Sequence, residues 1–199
     1  MNVTQFEGNF HVPVATNPRP VKRVILAGKG ASGKDHMRKV MENSGFVYGV
    51  SYTTRPARAG EVEGKDYYFK TVEEFDAMIK NDEFYEYVDF NSWYYGTTNL
   101  QFQTNTLFVM TPHGISNIKP EDKKESLIVY FDITEDVRKT RLMERQDADK
   151  ADRRIAADNA DFASFKDYDL RIVDPNYSPT ELTKMILAEH PEVFVKQAA

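Results

Sequence analysis

Hydrophobic positions along the chain fall into short continuous runs, separated by stretches with a helical repeat. "VKRVILA" (21–27) is a β-rich run that ends in glycines, and it predicts a buried strand. From Lys34 to about Met41 the pattern turns helical, and Gly45 stops it. "GFVYGVSYT" (45–53) predicts a second strand, and "TTRPARAGEVEGKD", with Pro and Gly among charges, a loop. "YYFKTVEEFDAMIKNDEFYEYV" contains a strand and then a helix. Thr71 and Glu74 are spaced there as a capping box, and Phe75, Met78 and Ile79 share one helical face. "TLFVM" (106–110) and "SLIVYFD" (126–132) are continuous apolar runs, as expected of central parallel strands covered on both sides. "TEDVRKTRLMERQ" predicts a helix capped by Thr134, "YDLRIVD" a last strand, and "SPTELTKMILAEH" a terminal helix.

Strands alternating with helices predict an α/β fold with a mostly parallel central sheet between helical layers. The stretch from Ser51 to about Thr98 breaks the alternation: it is aromatic and turn-rich, and predicts an inserted small α+β subdomain with its own antiparallel sheet. The core is then 21–50 and 105–190, within a domain spanning 21–199, and residues 1–20, with three prolines, form an irregular leader or a packed arm. A chain of 199 residues, 41% hydrophobic and 29% charged, suits one globular domain with appended subregions. The absence of cysteine excludes disulfides, thiolate metal sites and cysteine nucleophiles. A net charge of -5 argues against a broad nucleic-acid surface, so an anionic ligand must be met by locally placed Arg and Lys. No apolar run approaches the roughly 20 residues of a membrane span, and the first residues lack the basic start and apolar centre of a secretion signal. The expectation is a cytoplasmic protein with neither membrane nor nucleic acid as partner. The four histidines are scattered without zinc-ligand spacing. Oligomeric state is not written in the sequence.

The first strand leads into Gly28, Lys29, Gly30, Ala31, Ser32, Gly33, Lys34, which reads G-x-x-x-x-G-K, followed by Asp35, His36 and a helix. That order is what makes a phosphate-binding loop credible. The glycines let the backbone curl so that N–H groups point inward, the helix adds its positive end, and Lys34 supplies a charge for the β and γ phosphates of ATP. Asp35 stands where a Ser or Thr hydroxyl usually contacts Mg²⁺. A carboxylate is a harder ligand for the same ion, which readily takes one or two carboxylates together with phosphate oxygens. A helix cap alone is the other reading of Asp35.

Arg55 and Arg58, three residues apart in a glycine-containing loop, can converge on a dianionic phosphate. A carboxylate such as Glu86 can accept hydrogen bonds from two adjacent N–H donors, and a site built on such bonds rejects a partner lacking them by on the order of 10⁴. Taken singly, Tyr67 and Tyr95 read as core aromatics, Glu86 as an edge charge, and the arginines as surface charges. Taken together, "SYTTRPARAGEVEGKDYYF" and "NDEFYEYVDFNSWYYGTT" resemble the nucleotide-monophosphate-binding region of guanylate kinases. That pattern is S-x-T-T-R-x-x-R-x-G-E-x-x-G-x-D-Y-x-F, then E-F-x-E, then Y-Y-G-[ST], and every fixed position is met. The resemblance, from about 21 to 190, implies a P-loop kinase fold, ATP as co-substrate with Mg²⁺, and GMP or dGMP as acceptor. It implies that Arg55, Arg58, Tyr67 and Tyr95 bind the acceptor phosphate, while Ser51, Glu86 and Thr97 read the base.

The resemblance also implies a helical lid at about 145–154, within "RLMERQDADKADRRIAADNADF", whose arginines close over the transferred group. Arg145 and Arg154 are the lid candidates, joining Lys34 and Arg58 as catalytic residues, whereas Arg141 and Arg153 read as a solvated helix face. The chain departs from the family where an acidic D-x-D-x-Q-G element usually ends a strand: Val109 and Thr111 replace both carboxylates. One carboxylate missing there and a new one at Asp35 suggest that metal charge has been relocated within the site. The leading expectation is an ATP:(d)GMP phosphotransferase. The rivals are an inactive guanylate-kinase-like protein-binding module and a kinase of another nucleotide.

Overall fold

The computed structural model describes residues 10–11, 20–90, 92–144 and 148–193, with the backbone alone for 10–11 and 148–154. Its larger sheet comprises Phe10–His11 (β1), Leu170–Ile172 (β9), Ser126–Phe131 (β8), Arg23–Gly28 (β2) and Leu107–Val109 (β7), in that spatial order. The last four run parallel, and β1 pairs antiparallel with β9 at the outer edge. Every residue of β2 and β8 is buried, because helices cover both faces. Successive side chains of a strand point to opposite faces. Val24 and Leu26 accordingly pack with Met37 and Met41 of α1 (Lys34–Asn43) and with Leu182 and Ile186 of α8 (Pro179–Glu189). Ile25 and Ala27 pack on the other side with Phe102, Phe108, Ile115 and Phe162. Burying each such Leu, Ile or Phe is worth about 1.5–3 kcal/mol.

The smaller sheet has the order β4 (Tyr68–Phe69), β3 (Tyr52–Thr53), β6 (Trp93–Thr98), β5 (Phe84–Phe90). It is not wholly antiparallel as expected. β3 and β4 run parallel, because the loop between them returns the chain to the same end of the sheet. The helix α2 (Val72–Lys80) starts at Thr71 with both halves of the anticipated capping box formed. It buries Phe75 against Phe84 and Tyr94, at ring-centroid distances of 4.4 and 5.4 Å.

The single strand predicted at 45–53 is divided between the sheets. Tyr48 bridges to Leu107 of the larger sheet, whereas Tyr52–Thr53 belongs to the smaller one. Between them, a Cβ on Gly49 would lie 2.3 Å from the Phe108 ring, so only a residue without a side chain lets the backbone pass. The short helix α3 (Asn99–Thr104) has a capping box of its own, from Thr98 and Gln101. The Gln101 side chain also donates to the Val50 carbonyl at 2.7 Å, tying together the two ends of the inserted subdomain. Two further helices, α4 (Pro112–Ser116) and α5 (Pro120–Lys124), were not anticipated; each is a five-residue piece with Pro in its first turn. After β8 come α6 (Glu135–Glu144) and α7 (Ala148–Phe162). No helix among the described residues is long and apolar enough to cross a membrane.

Candidate active site

β2 passes into α1 through a loop whose curl depends on left-handed residues. Gly33, the residue before α1, has φ 101°, which glycine adopts freely. Ala31 has φ 60°, a conformation that costs an L side chain roughly 1–2 kcal/mol. The loop carbonyls are tied one after another. Lys34 Nζ donates to the carbonyls of Gly28 and Lys29 at 2.5 and 3.0 Å and to Ser32 Oγ at 3.4 Å. Arg138 Nη1 reaches the Gly30 carbonyl at 3.5 Å, Arg141 Nη1 the Ala31 carbonyl at 3.2 Å, and the Tyr177 hydroxyl the Gly33 carbonyl at 3.4 Å. In a planar trans peptide the N–H lies opposite the C=O. The amides of Ala31 and Lys34 are therefore turned away from these anchors, and both residues line a cavity.

That cavity is bounded by Gly30 to His36 of the loop, with Arg58, Glu61, Tyr67 and Val109 opposite. A second cavity adjoins it, lined by Gly28, Ser51, Glu86, Tyr95 and Gly96, with Asp158 and Asp161 of α7 on its far side. Gly30, Lys34, Tyr67 and Val109 border both. Of the residues singled out by sequence, Lys29, Arg55 and Thr97 line neither cavity. Arg145 lies outside the described residues, and Arg154 sits in α7 with only its backbone described.

Burial pushes the Glu86 carboxyl up to about 7, although Thr97, its partner across β5 and β6, opposes the shift. Burial, and then Tyr95, push the Tyr67 phenol up to about 12, so it remains a donor near neutrality. The two rings stand edge to face at 6.0 Å. Arg55 does not converge with Arg58 on the cavity. Its guanidinium donates to both Glu61 oxygens at 2.8 and 2.9 Å and to the Pro56 carbonyl at 2.8 Å, and lies over the Tyr67 ring. Glu61 also accepts the Arg58 backbone N–H at 2.8 Å, so one carboxylate fixes the loop carrying both arginines.

Three contributors escaped the sequence reading. Arg141 is not part of a solvated helix face: it donates to Ala31 and, through Nη2, to the Pro175 carbonyl at 3.0 Å. Arg138 is buried, and Asp158 accepts the Gly30 N–H at 2.7 Å. Their polarity disguised them as surface, and only an i, i+3 step from Arg138 to Arg141 hints at a shared face. Asp161, beside Asp158, is held above the usual carboxylate range by burial and by that neighbour's charge. Val109 separates the cavities, and Thr111 spends its hydroxyl capping α4, where it accepts the Gly114 N–H at 3.1 Å.

Asp35, in the first turn of α1, lines the first cavity beside the loop amides. Among the described residues no group of three or more His, Cys, Asp or Glu could hold a metal ion. A cation there would complete its shell with phosphate oxygens, a donor set that fits Mg²⁺.

A phosphate loop, an arginine-bearing loop and a buried carboxylate around two joined cavities agree with a match of residues 20–189 to the sequence profile described as guanylate kinase. The chain belongs to the guanylate kinase family. A guanylate kinase of Aster yellows witches'-broom phytoplasma (strain AYWB) is 48% identical over 83 residues, 40% of this chain and 39% of the relative. One from Enterococcus faecalis (strain ATCC 700802 / V583) is 46% identical over 77 residues, 37% of this chain and 38% of the relative. The chain thus spans about two-fifths of the length of the curated relatives it matches. The crystal structure of guanylate kinase from Anaplasma phagocytophilum has the same fold, with a TM-score of 0.61 at 24% identity over 86% of this chain and 85% of that one.

Proposed function

We propose that this member of the guanylate kinase family transfers the γ-phosphoryl group of ATP to GMP, dGMP or both. The observation that carries this reading is the shared wall of the two cavities at Gly30, Lys34, Tyr67 and Val109; in this reading a donor and an acceptor phosphate meet end to end across it. The amides of the loop and the positive end of α1 hold the donor phosphates. Lys34 exchanges loop carbonyls for phosphate oxygens. Arg58, oriented by Glu61, and the hydroxyls of Tyr67 and Tyr95 grip the acceptor phosphate, with Arg55 supporting that loop. Glu86, with Ser51 and Thr97, reads the guanine edge.

Asp35 holds Mg²⁺, which when bound neutralises charge on the donor phosphates. Alignment and charge balance account for most of the acceleration in phosphoryl transfer, and in this reading Lys34, Arg58, Arg145 and Arg154 provide the balance. The curated relatives named guanylate kinase support the choice of acceptor.

The test is ADP production with ATP and Mg²⁺ against GMP, dGMP, AMP, dTMP and UMP. Turnover confined to the guanine nucleotides is expected. A protein that binds MgATP yet phosphorylates none of the five, or that prefers a pyrimidine, overturns the reading.

A further inference from the structure

We propose that Asp158 and Arg138 are positioning residues for the donor phosphate loop, fixing the orientation of Gly30. The inference rests on the reading of that loop as the ATP site. Arg138 of α6 is 1% exposed and Asp158 of α7 is 6% exposed, and Arg138 Nη1 lies 3.6 Å from Asp158 Oδ2. Both converge on one residue: Asp158 Oδ2 accepts the Gly30 N–H at 2.7 Å, and Arg138 Nη1 reaches the Gly30 carbonyl at 3.5 Å. The rest of the guanidinium is used as well. Its Nε donates to the Ile133 carbonyl and its Nη2 to Asn159 Oδ1, each at 3.2 Å. Asn159 in turn donates to Glu135 at 2.7 Å.

A buried ion pair is a poor stabiliser, because desolvation consumes much of the Coulombic gain and apolar replacements often match it. What this pair supplies is direction. Gly30 has no side chain and is the residue type most free to rotate, while the next residue, Ala31, must stay left-handed. Holding both the N–H and the C=O of Gly30 restricts both of its backbone dihedrals, and so sets where the Ala31 N–H points. Because the clamp comes from α6 and α7, the helices that flank the predicted lid are bonded directly to the donor loop. Arg58 and Glu86, in the inserted subdomain, are not part of it. Asp158 also lines the second cavity, so loss of the clamp is felt by both nucleotides but most strongly by the donor, whose loop it orients.

The experiment uses the full chain carrying Arg138→Leu with Asp158→Ala, which removes both charges together and leaves neither buried alone. Wild type and variant are titrated calorimetrically with a non-hydrolysable ATP analogue plus Mg²⁺, and separately with GMP, alongside their melting temperatures and the KM for each substrate. The expected result is a folded variant with a donor affinity weaker by about tenfold and a clearly smaller loss of GMP affinity. Equal donor affinity, or equal weakening of donor and acceptor, overturns the inference while leaving the kinase reading in place. Failure of the wild type itself to bind the magnesium nucleotide overturns both.

Asp158→Asn provides the comparison should the double variant not fold. It keeps an oxygen for the Gly30 N–H but loses the charge that strengthens the bond. A rise in KM for ATP of about threefold with a smaller change in KM for GMP is expected, and an unaltered KM for ATP overturns the inference.

Discussion

Glu86 combines burial with a carboxyl, and its protonation follows from that conflict. Its folded value near 7 lies above the ordinary carboxylate range, so the native state binds the extra proton. The stability this contributes is complete below about pH 4.5 and is lost as pH rises through about 7. Denaturant titration should therefore show wild type losing stability relative to Glu86→Gln between those values. Guanine recognition needs the ionised form, so the sign reverses for binding: GMP affinity relative to Glu86→Gln should rise as pH increases through about 7. The phosphate of GMP titrates equally in both proteins and drops out of the difference. A pH-independent ratio would remove Glu86 from the site.

Asp35 permits a second residue-level prediction. Asp35→Ala should raise the Mg²⁺ concentration needed for half-maximal turnover, by about tenfold if one direct carboxylate bond is lost. Asp35→Ser with Val109→Asp should recover part of it, since both positions line the first cavity. Mg²⁺ dependence unchanged by Asp35→Ala would leave the residue a helix-terminal charge and nothing more. The phosphate-loop motif singled out Asp35 and the resemblance to the family pattern singled out Glu86, and both line a cavity. Asp158 was not singled out: its partner Gly30 lies 128 residues away, and no local pattern records that pairing.

Among the elements, those specified by their own residues were readable and those specified by a neighbour were not. Continuous apolar runs located β7 and β8, and Thr71 with Glu74 located the start of α2. The division of 45–53 between two sheets depends on the Phe108 ring, contributed by another strand. That dependence makes Gly49→Ala informative. Its methyl group would be driven into a ring that is 1% exposed, and overpacking of this kind costs about 1–3 kcal/mol. Thermal or urea unfolding should show that loss, and unchanged stability would mean the crossing is looser than the contact implies. The helices α4 and α5 escaped notice because five residues are too few to show a period, and only the prolines at their starts signalled them.

At the scale of the whole molecule, a chain of net charge -5 places Lys34 where two cavities join, with Arg38 and Arg58 on the first of them. The parallel core could be anticipated from the order of strands and helices, whereas the fastening of the loop could not, since it depends on how α6 and α7 pack. A sequence motif of eight residues, 28 to 35, is moored at its carbonyls by side chains from positions 34, 138, 141 and 177. Such a segment is not a portable cassette. Grafted onto another strand-and-helix junction without those distant arms, it would carry the consensus letters but not the shape they stand for.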